Sequence, residues 1–398
     1  MQAELYRFEL QFKEPAMTSR GTYVTHTVWY PVFKWQDQLA LGECAPLPDL
    51  SADFLAGGSN EAERTQAYET KLTQYLEQLW QSVQSNVTPD FAALRPYSSI
   101  LFGLECLHHL YGQRKSSELC SELSSVPRAE LNAEPRNAAL LWPSSFSAGT
   151  QDLPINGLIW MGSFEQMARR IEAKLAEGYR CIKLKIGALD FAREMELLTQ
   201  LRQRFSPEEL ELRVDANGAF TPDMVEEKLK ALAALTLHSI EQPIKAGQWE
   251  LMAQLCAHSP IAIGLDEELI GVTERASKER LLDTIKPRYL ILKPSLHGGI
   301  SGCTEWMSLA RARGIGYWVT SALESNIGLN AIAQWCGTQG VTMPQGLGTG
   351  LLYTNNVASP LSIVQAQLHC DLARVGDYDS YLRDFLEQHC TLVARFGA

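Results

Sequence analysis

The chain has 398 residues, 45% of them apolar and 20% charged, with a formal net charge of −11. That mix can bury a large core and excludes a disordered, collagen-like or low-complexity chain. No Lys/Arg-rich run marks a nucleic-acid face and no stretch nears the ~18 apolar residues of a membrane span. An anionic substrate would therefore have to be held by local cations or a metal, against the overall charge.

Met1–Leu10 carries Glu4, Arg7 and Glu9, which is not the pattern of a signal peptide, so the expected location is the cytoplasm. Nine scattered cysteines without C-x-x-C spacing read as reduced thiols. Leu5–Phe12 and Tyr23–Val32 read as strands around a turn at Thr18–Gly21. Asn60–Trp80 and Pro96–Tyr111 read as helices. Strands followed by helices predict an α+β capping domain over residues 1–145. Within it, Val126–Gly149, with prolines at 127, 135 and 143, reads as a linker.

From Leu153 a short apolar run followed by an amphipathic helix repeats. The runs are Leu153–Trp160, Tyr179–Ile186, Leu210–Asp215, Leu237–Glu241, Ile261–Asp266, Tyr289–Lys293 and Gly316–Ser321, with a weaker eighth near Val341–Leu347. Ser163 and Gln166 predict a capping box, Gly178 and Gly314 helix ends, and Thr221-Pro222 a helix start. Alternating strands and helices give a parallel sheet. Eight such units predict an α/β fold, a (β/α) barrel (a modified TIM barrel) over 150–357, with an open doubly wound sheet as the alternative. The segment 358–398, with a helix around Tyr378–Cys390, is expected to pack with the cap.

Barrel active sites sit at the C-terminal strand ends. In Cys181–Ile186, Ile182, Leu184 and Ile186 share one face and Lys183 and Lys185 the other. The apolar face must meet the helices, so both lysines point inward, where unpaired ammonium groups are costly. Three following runs end in acids: Asp215, Glu241 and Asp266. Three carboxylates without His or Cys make an oxygen-only site of the kind magnesium prefers. A third lysine, Lys293, enters from across the barrel.

The motifs Ile182-Lys183-Leu184-Lys185, Val214-Asp215-Ala216-Asn217, Ile240-Glu241-Gln242-Pro243, Leu265-Asp266-Glu267 and Ile291-Leu292-Lys293-Pro294 resemble the enolase superfamily, within it the muconate-cycloisomerase subgroup with lysines on the second and sixth strands. Thr320–Gly328 and Gly346–Gly350 look most like the o-succinylbenzoate synthase family. The resemblance implies Asp215, Glu241 and Asp266 as ligands of Mg2+, with Mn2+ as a substitute. It implies Lys185 as general base and Lys293 as its counterpart. The implied activity is that of a lyase in menaquinone biosynthesis, dehydrating a small anionic carboxylate, 2-succinyl-6-hydroxy-2,4-cyclohexadiene-1-carboxylate, to o-succinylbenzoate.

Supporting roles are expected for Lys183, Asn217, Glu267, Ser321, Glu324 and Arg20, the last reaching down from the Thr18–Gly21 turn. His297 reads as a loop histidine, and Trp160 and Trp318 as core aromatics. A racemase acting on N-acylamino acids, a cycloisomerase, a Schiff-base enzyme and a non-catalytic binding protein are the competing functions. The missing paired-aspartate motif on the eighth strand argues against a dipeptide epimerase. Oligomeric state is left open.

Overall fold

The computed structural model describes residues 1–18, 21–123, 138–187 and 189–397. The chain opens with β1 (Gln2–Thr18), β2 (Gly21–Trp35) and β3 (Gln38–Leu41). They pair antiparallel, with Tyr6 opposite Tyr30 and Thr18 opposite Gly21. The first two strands outrun the apolar stretches Leu5–Phe12 and Tyr23–Val32. Residues 13–15 and 17 are exposed, so hydrophobic alternation fades there, yet Ala16–Thr18 still pair with Tyr23–Gly21.

Helices α1 (Ala52–Leu55), α2 (Glu61–Gln84) and α3 (Ser98–Leu123) follow. The Asn60 side chain caps α2 by accepting the Glu63 N–H at 3.0 Å. The stripe Tyr68, Leu72, Leu76 and Leu79 buries one face of that helix. The α3 backbone touches the segment after β3: a Cβ on Gly42 would stand 1.9 Å from Gly103 O. Only glycine permits that approach.

The run Leu153–Trp160 splits into β4 (Leu153–Pro154) and β5 (Gly157–Ile159). Pro154 has no N–H to give to a ladder, and its carbonyl accepts from Gln345 N–H at 2.8 Å. After β5 come β6 (Cys181–Lys185), β7 (Glu211–Asp215), β8 (Ser239–Glu241), β9 (Ile263–Leu265), β10 (Tyr289–Leu292) and β11 (Gly316–Val319). These seven pair in parallel in chain order.

The expected eighth strand is reduced to Gln345 and Gly346. Gln345 bridges Ile155 and Gly346 bridges Thr320, both in parallel. The ring therefore closes, which decides against the open doubly wound sheet. Each barrel strand from β5 to β11 is followed by a helix: α4 (Phe164–Ala176), α5 (Phe191–Arg204), α6 (Val225–Ala233), α7 (Trp249–His258), α8 (Arg275–Ile285), α9 (Gly299–Arg311) and α10 (Asn326–Gly337). The Ser163–Gln166 capping box forms at the start of α4. Pro222, in contrast, does not begin α6. Thr221 O accepts from the N–H groups of Met224 and Val225, so the proline sits in a turn ahead of the helix.

The C-terminal segment holds β12 (Leu361–Val364), β13 (Gln367–Cys370), α11 (Tyr378–His389) and β14 (Thr391–Phe396). β13 pairs with β4, while β14 pairs with β1 and extends the N-terminal sheet to four strands. Residues 126–137 of the expected linker lie outside the described residues. Among the described residues no helix is long and apolar enough to cross a membrane.

Two acids of the N-terminal unit, Glu43 buried and Glu105 partly buried, reach the N-termini of barrel helices. Glu43 accepts from Ser325 N–H at 2.6 Å and Gly328 N–H at 2.7 Å, at the start of α10. Glu105, on α3, accepts from Ile300 N–H at 2.7 Å, at the start of α9. Anionic carboxylates suit the positive end of a helix dipole, but burial pushes both groups up to about 7, from 4.5. A raised folded-state value stabilises fully below the unfolded value and is lost as pH rises through the folded one. Folding stability contributed by these acids should therefore fall between about pH 4.5 and 7, by at most ~3 kcal/mol each. Urea unfolding at both ends of that window checks it: Glu43→Gln and Glu105→Gln should each flatten the decline.

Candidate active site

Strand register builds the site. Lys185 lies opposite Asp215, and Asp215 opposite Glu241, so β6, β7 and β8 each place one charge in a single layer at their C-terminal ends. Lys183 points the same way one layer deeper. Asp266 and Lys293 follow directly on β9 and β10. Inside the barrel Gly264 makes room for Ile291, whose Cδ1 would stand 2.7 Å from an added Cβ.

Every lysine meets a carboxylate. Lys183 Nζ lies 2.6 Å from Glu241 Oε2 and 3.0 Å from Asp215 Oδ2. Lys185 Nζ lies 2.8 Å from Asp215 Oδ2 and donates to Asn217 Oδ1 at 2.8 Å. Lys293 Nζ pairs with Asp266 Oδ2. Asn217 in turn donates to Glu267 Oε1 at 3.0 Å, so it links the Lys185 amine to the acid after Asp266.

The two outer lysines are driven apart electrostatically. Burial lowers the Lys185 pKa, and Lys183 and Lys293 push the same way against Asp215. For Lys293 burial also acts downward, but Asp266, Glu241 and Glu267 outweigh it and the pKa rises. Asp215 stays well below the ordinary carboxylate range: burial raises it, but Lys183, Lys185 and Lys293 prevail. Burial first and Asp215 second push Glu241 up to about 8. Glu241 is thus the acid that most needs a further cation to stay charged.

Asp215, Glu241 and Asp266 offer only oxygen donors and are buried. Glu241 Oε1 and Asp266 Oδ1 have no hydrogen-bond partner, a costly state unless a cation answers it. This donor set fits a hard divalent ion. Among the described residues no three His, Cys, Asp or Glu side chains converge on one point; each carboxylate is engaged by a lysine.

Behind these groups stand residues to which the sequence reading gave no role. Gln242, left-handed at φ 39°, accepts through Oε1 from Asp266 N–H at 3.2 Å and Glu268 N–H at 3.3 Å. It fixes the end of β9 from the end of β8. His297 does lie in the loop between β10 and α9, as expected, but it is not a solvated loop residue. It is buried, accepts the Lys293 backbone N–H through Nδ1 at 3.0 Å, and brings Nε2 within 3.7 Å of Asp266 Oδ1. Burial holds it down to about 3, hence neutral. Its four-residue spacing from Lys293 was the available signal. Trp160 is more than core packing, since its ring faces Lys185 Nζ at 5.9 Å. Arg20 lies outside the described residues.

A cavity of about 690 Å³ is lined by Lys183, Lys185 and Lys293, by Tyr23, Leu47 and Leu50 of the N-terminal unit and by Trp318, Ser321 and Leu323 of the barrel. Ser321 donates to Glu324 Oε2 at 2.5 Å, and Ser295 to Glu324 Oε1 at 2.5 Å. Ser321 is thus on the cavity wall and Glu324 behind it.

A closed parallel barrel whose C-terminal rim carries three successive acids flanked by lysines defines a class of enzymes that move protons beside a carboxylate. Residues 166–367 match the family model described as enolase C-terminal domain-like. An o-succinylbenzoate synthase of Desulfotalea psychrophila is 44% identical over 91% of this chain and 97% of its own. The crystal structure of MenC from that organism superposes with a TM-score of 0.66, at 38% identity over 93% of this chain and all of that one. The chain belongs to the enolase superfamily and, within it, to the o-succinylbenzoate synthase family. A muconate lactonizing enzyme from Pseudomonas fluorescens, 20% identical over 94% of this chain and 97% of its own, shares the fold with a TM-score of 0.68.

Proposed function

We propose that this chain dehydrates 2-succinyl-6-hydroxy-2,4-cyclohexadiene-1-carboxylate to o-succinylbenzoate and water, as a magnesium-dependent lyase of menaquinone biosynthesis. The observation that carries the reading is that Lys185 and Lys293, each paired with its own carboxylate, line one cavity from β6 and from the end of β10, across the barrel from each other.

Asp215, Glu241 and Asp266 would hold the Mg2+, which supplies Lewis-acid stabilisation of negative charge on the substrate carboxylate. Lys185 takes the proton from the carbon bearing that carboxylate. Only a neutral amine can do so, and the lowered pKa serves that role. The resulting ammonium returns the proton to the departing hydroxyl on the same face, and water leaves. Lys293, kept cationic by Asp266, faces the other side of the planar enolate. Lys183 neutralises the floor of the site through Glu241 and Asp215. In this reading residues 1–145 and 358–398 form the cap that selects the substrate and excludes water, residues 150–357 form the barrel, and the enzyme works in the cytoplasm.

The test is dehydration assayed by formation of the aromatic product. EDTA should abolish turnover, and Mg2+ or Mn2+ should restore it. Turnover that ignores EDTA, with borohydride trapping on a lysine, would favour a Schiff-base enzyme instead. The facing pair Lys185 and Lys293 also favours a second reading, racemization of N-acyl amino acids. Deuterium exchange into such substrates without dehydration would establish it.

A further inference from the structure

His26, on β2, is buried behind the cavity lining. Its Nδ1 stands 2.9 Å from Leu323 O and its Nε2 3.1 Å from Pro46 O. The two carbonyls belong to two different segments, one of the N-terminal unit and one of the barrel. Pro46 precedes Leu47 and Leu50, which line the cavity from the cap, and Leu323 ends the turn whose Ser321 and Ala322 line it from the barrel. Leu47, Leu296, Ala322 and Leu323 pack as a small apolar cluster separate from the main core. Leu323 is left-handed at φ 70°, a strained state for leucine. Its carbonyl also accepts the Tyr353 O–H at 2.5 Å. The strained turn is thus pinned from two sides.

A carbonyl oxygen can only accept a hydrogen bond. A neutral imidazole carries one N–H and can bond one of the two carbonyls, whereas the imidazolium donates to both. Burial outweighs the two carbonyls and the Glu324 and Asp49 carboxylates and holds the His26 pKa below its ordinary 6.5, so the doubly protonated ring belongs to the acid side. Asp49 faces the ring from the cap segment, where Tyr23 O–H donates to it at 2.5 Å. Glu324 faces it from the barrel turn, and the Tyr353 phenol lies beyond the Leu323 carbonyl.

We propose that His26 is a positioning residue that ties the cap segment at Pro46 to the barrel turn at Leu323 in a proton-dependent way. Protonated, it bonds both carbonyls and joins the two segments. Neutral, it releases one of them, and the segment carrying Leu47 and Leu50 loosens from the turn carrying Ser321. The effect on catalysis rests on the cavity being the substrate site; the clamp itself does not.

Nitrogen-15 NMR of the histidine-labelled full chain, with His26→Gln supplying the assignment, counts the protons on the ring directly. The expected result is two protonated ring nitrogens on the acid side of the titration and one on the other, with the Leu47 and Leu50 amide signals following the same midpoint. A ring that keeps one protonated nitrogen down to about pH 5, or amide signals that ignore its titration, overturns the proposal. In kinetics, KM for the cyclohexadiene carboxylate should rise roughly 3–10-fold as the ring loses its proton, the worth of one hydrogen bond, with kcat unchanged. His26→Gln should lack that KM step. A step that survives the substitution counts against the clamp, whereas absence of dehydration altogether counts against the functional reading and leaves the NMR result to decide the clamp.

Discussion

Lys185→Ala is expected to lower kcat/KM for dehydration on the order of 10²–10⁴-fold, the usual contribution of a positioned general base. The loss should fall on kcat, because the groups that hold the substrate carboxylate remain. Folding should persist: Asp215 keeps Lys183 at 3.0 Å and its own bond from the Asn217 N–H at 3.0 Å. Lys185→Arg separates a base from a mere positive charge. A guanidinium does not give up its proton in a protein, so this variant should be as inactive as the alanine. Lys293→Arg should keep a measurable part of the rate, because a fixed cation is what that position supplies. Equal activity in Lys185→Arg and wild type would remove Lys185 from the role of base. The pH profile carries the same sign. Activity rises as Lys185 deprotonates, so the acid limb of kcat/KM should have its midpoint below the ordinary lysine value of 10.5.

The sequence made the barrel and its charged rim legible because both obey short-range rules. Alternation on β6 puts Lys183 and Lys185 on the inner face, and parallel pairing then carries Asp215 and Glu241 into the same layer without further information. What it hid depends on contacts between distant segments. His297 sits in a turn, as its neighbours Ser295, Gly298 and Gly299 suggest, but its burial beside Asp266 at the end of β9 depends on a distant segment. Gln242 sits in a quoted motif, but its role needs the backbone N–H groups of Asp266 and Glu268, 24 and 26 residues away. No local pattern around Glu43 and Glu105 says that they end on α10 and α9. The eighth strand was faint for a different reason: two bridging residues, one of them glycine, leave no hydrophobic period to detect.

Asp266→Asn should cost both metal and fold, and the two losses can be separated. Neutralising one of three oxygen ligands should weaken Mg2+ binding, measured by calorimetry, by at least the ~10–100-fold that loss of an outer partner to a metal ligand costs, and dehydration should fall with it. The same change leaves the partly buried Lys293 ammonium without its carboxylate, which should destabilise the protein, by at most about 3–5 kcal/mol, in urea unfolding. A double variant, Asp266→Asn with Lys293→Met, removes both charges and fills the space with an apolar chain of similar length, so stability should return toward wild type. Magnesium affinity and activity should not return, because no oxygen anion has been restored. If the double variant regained Mg2+ binding, Asp266 would be a partner for Lys293 alone. Full stability without Mg2+ binding would place the carboxylate where the donor chemistry puts it, as a ligand whose charge Lys293 balances within the folded barrel.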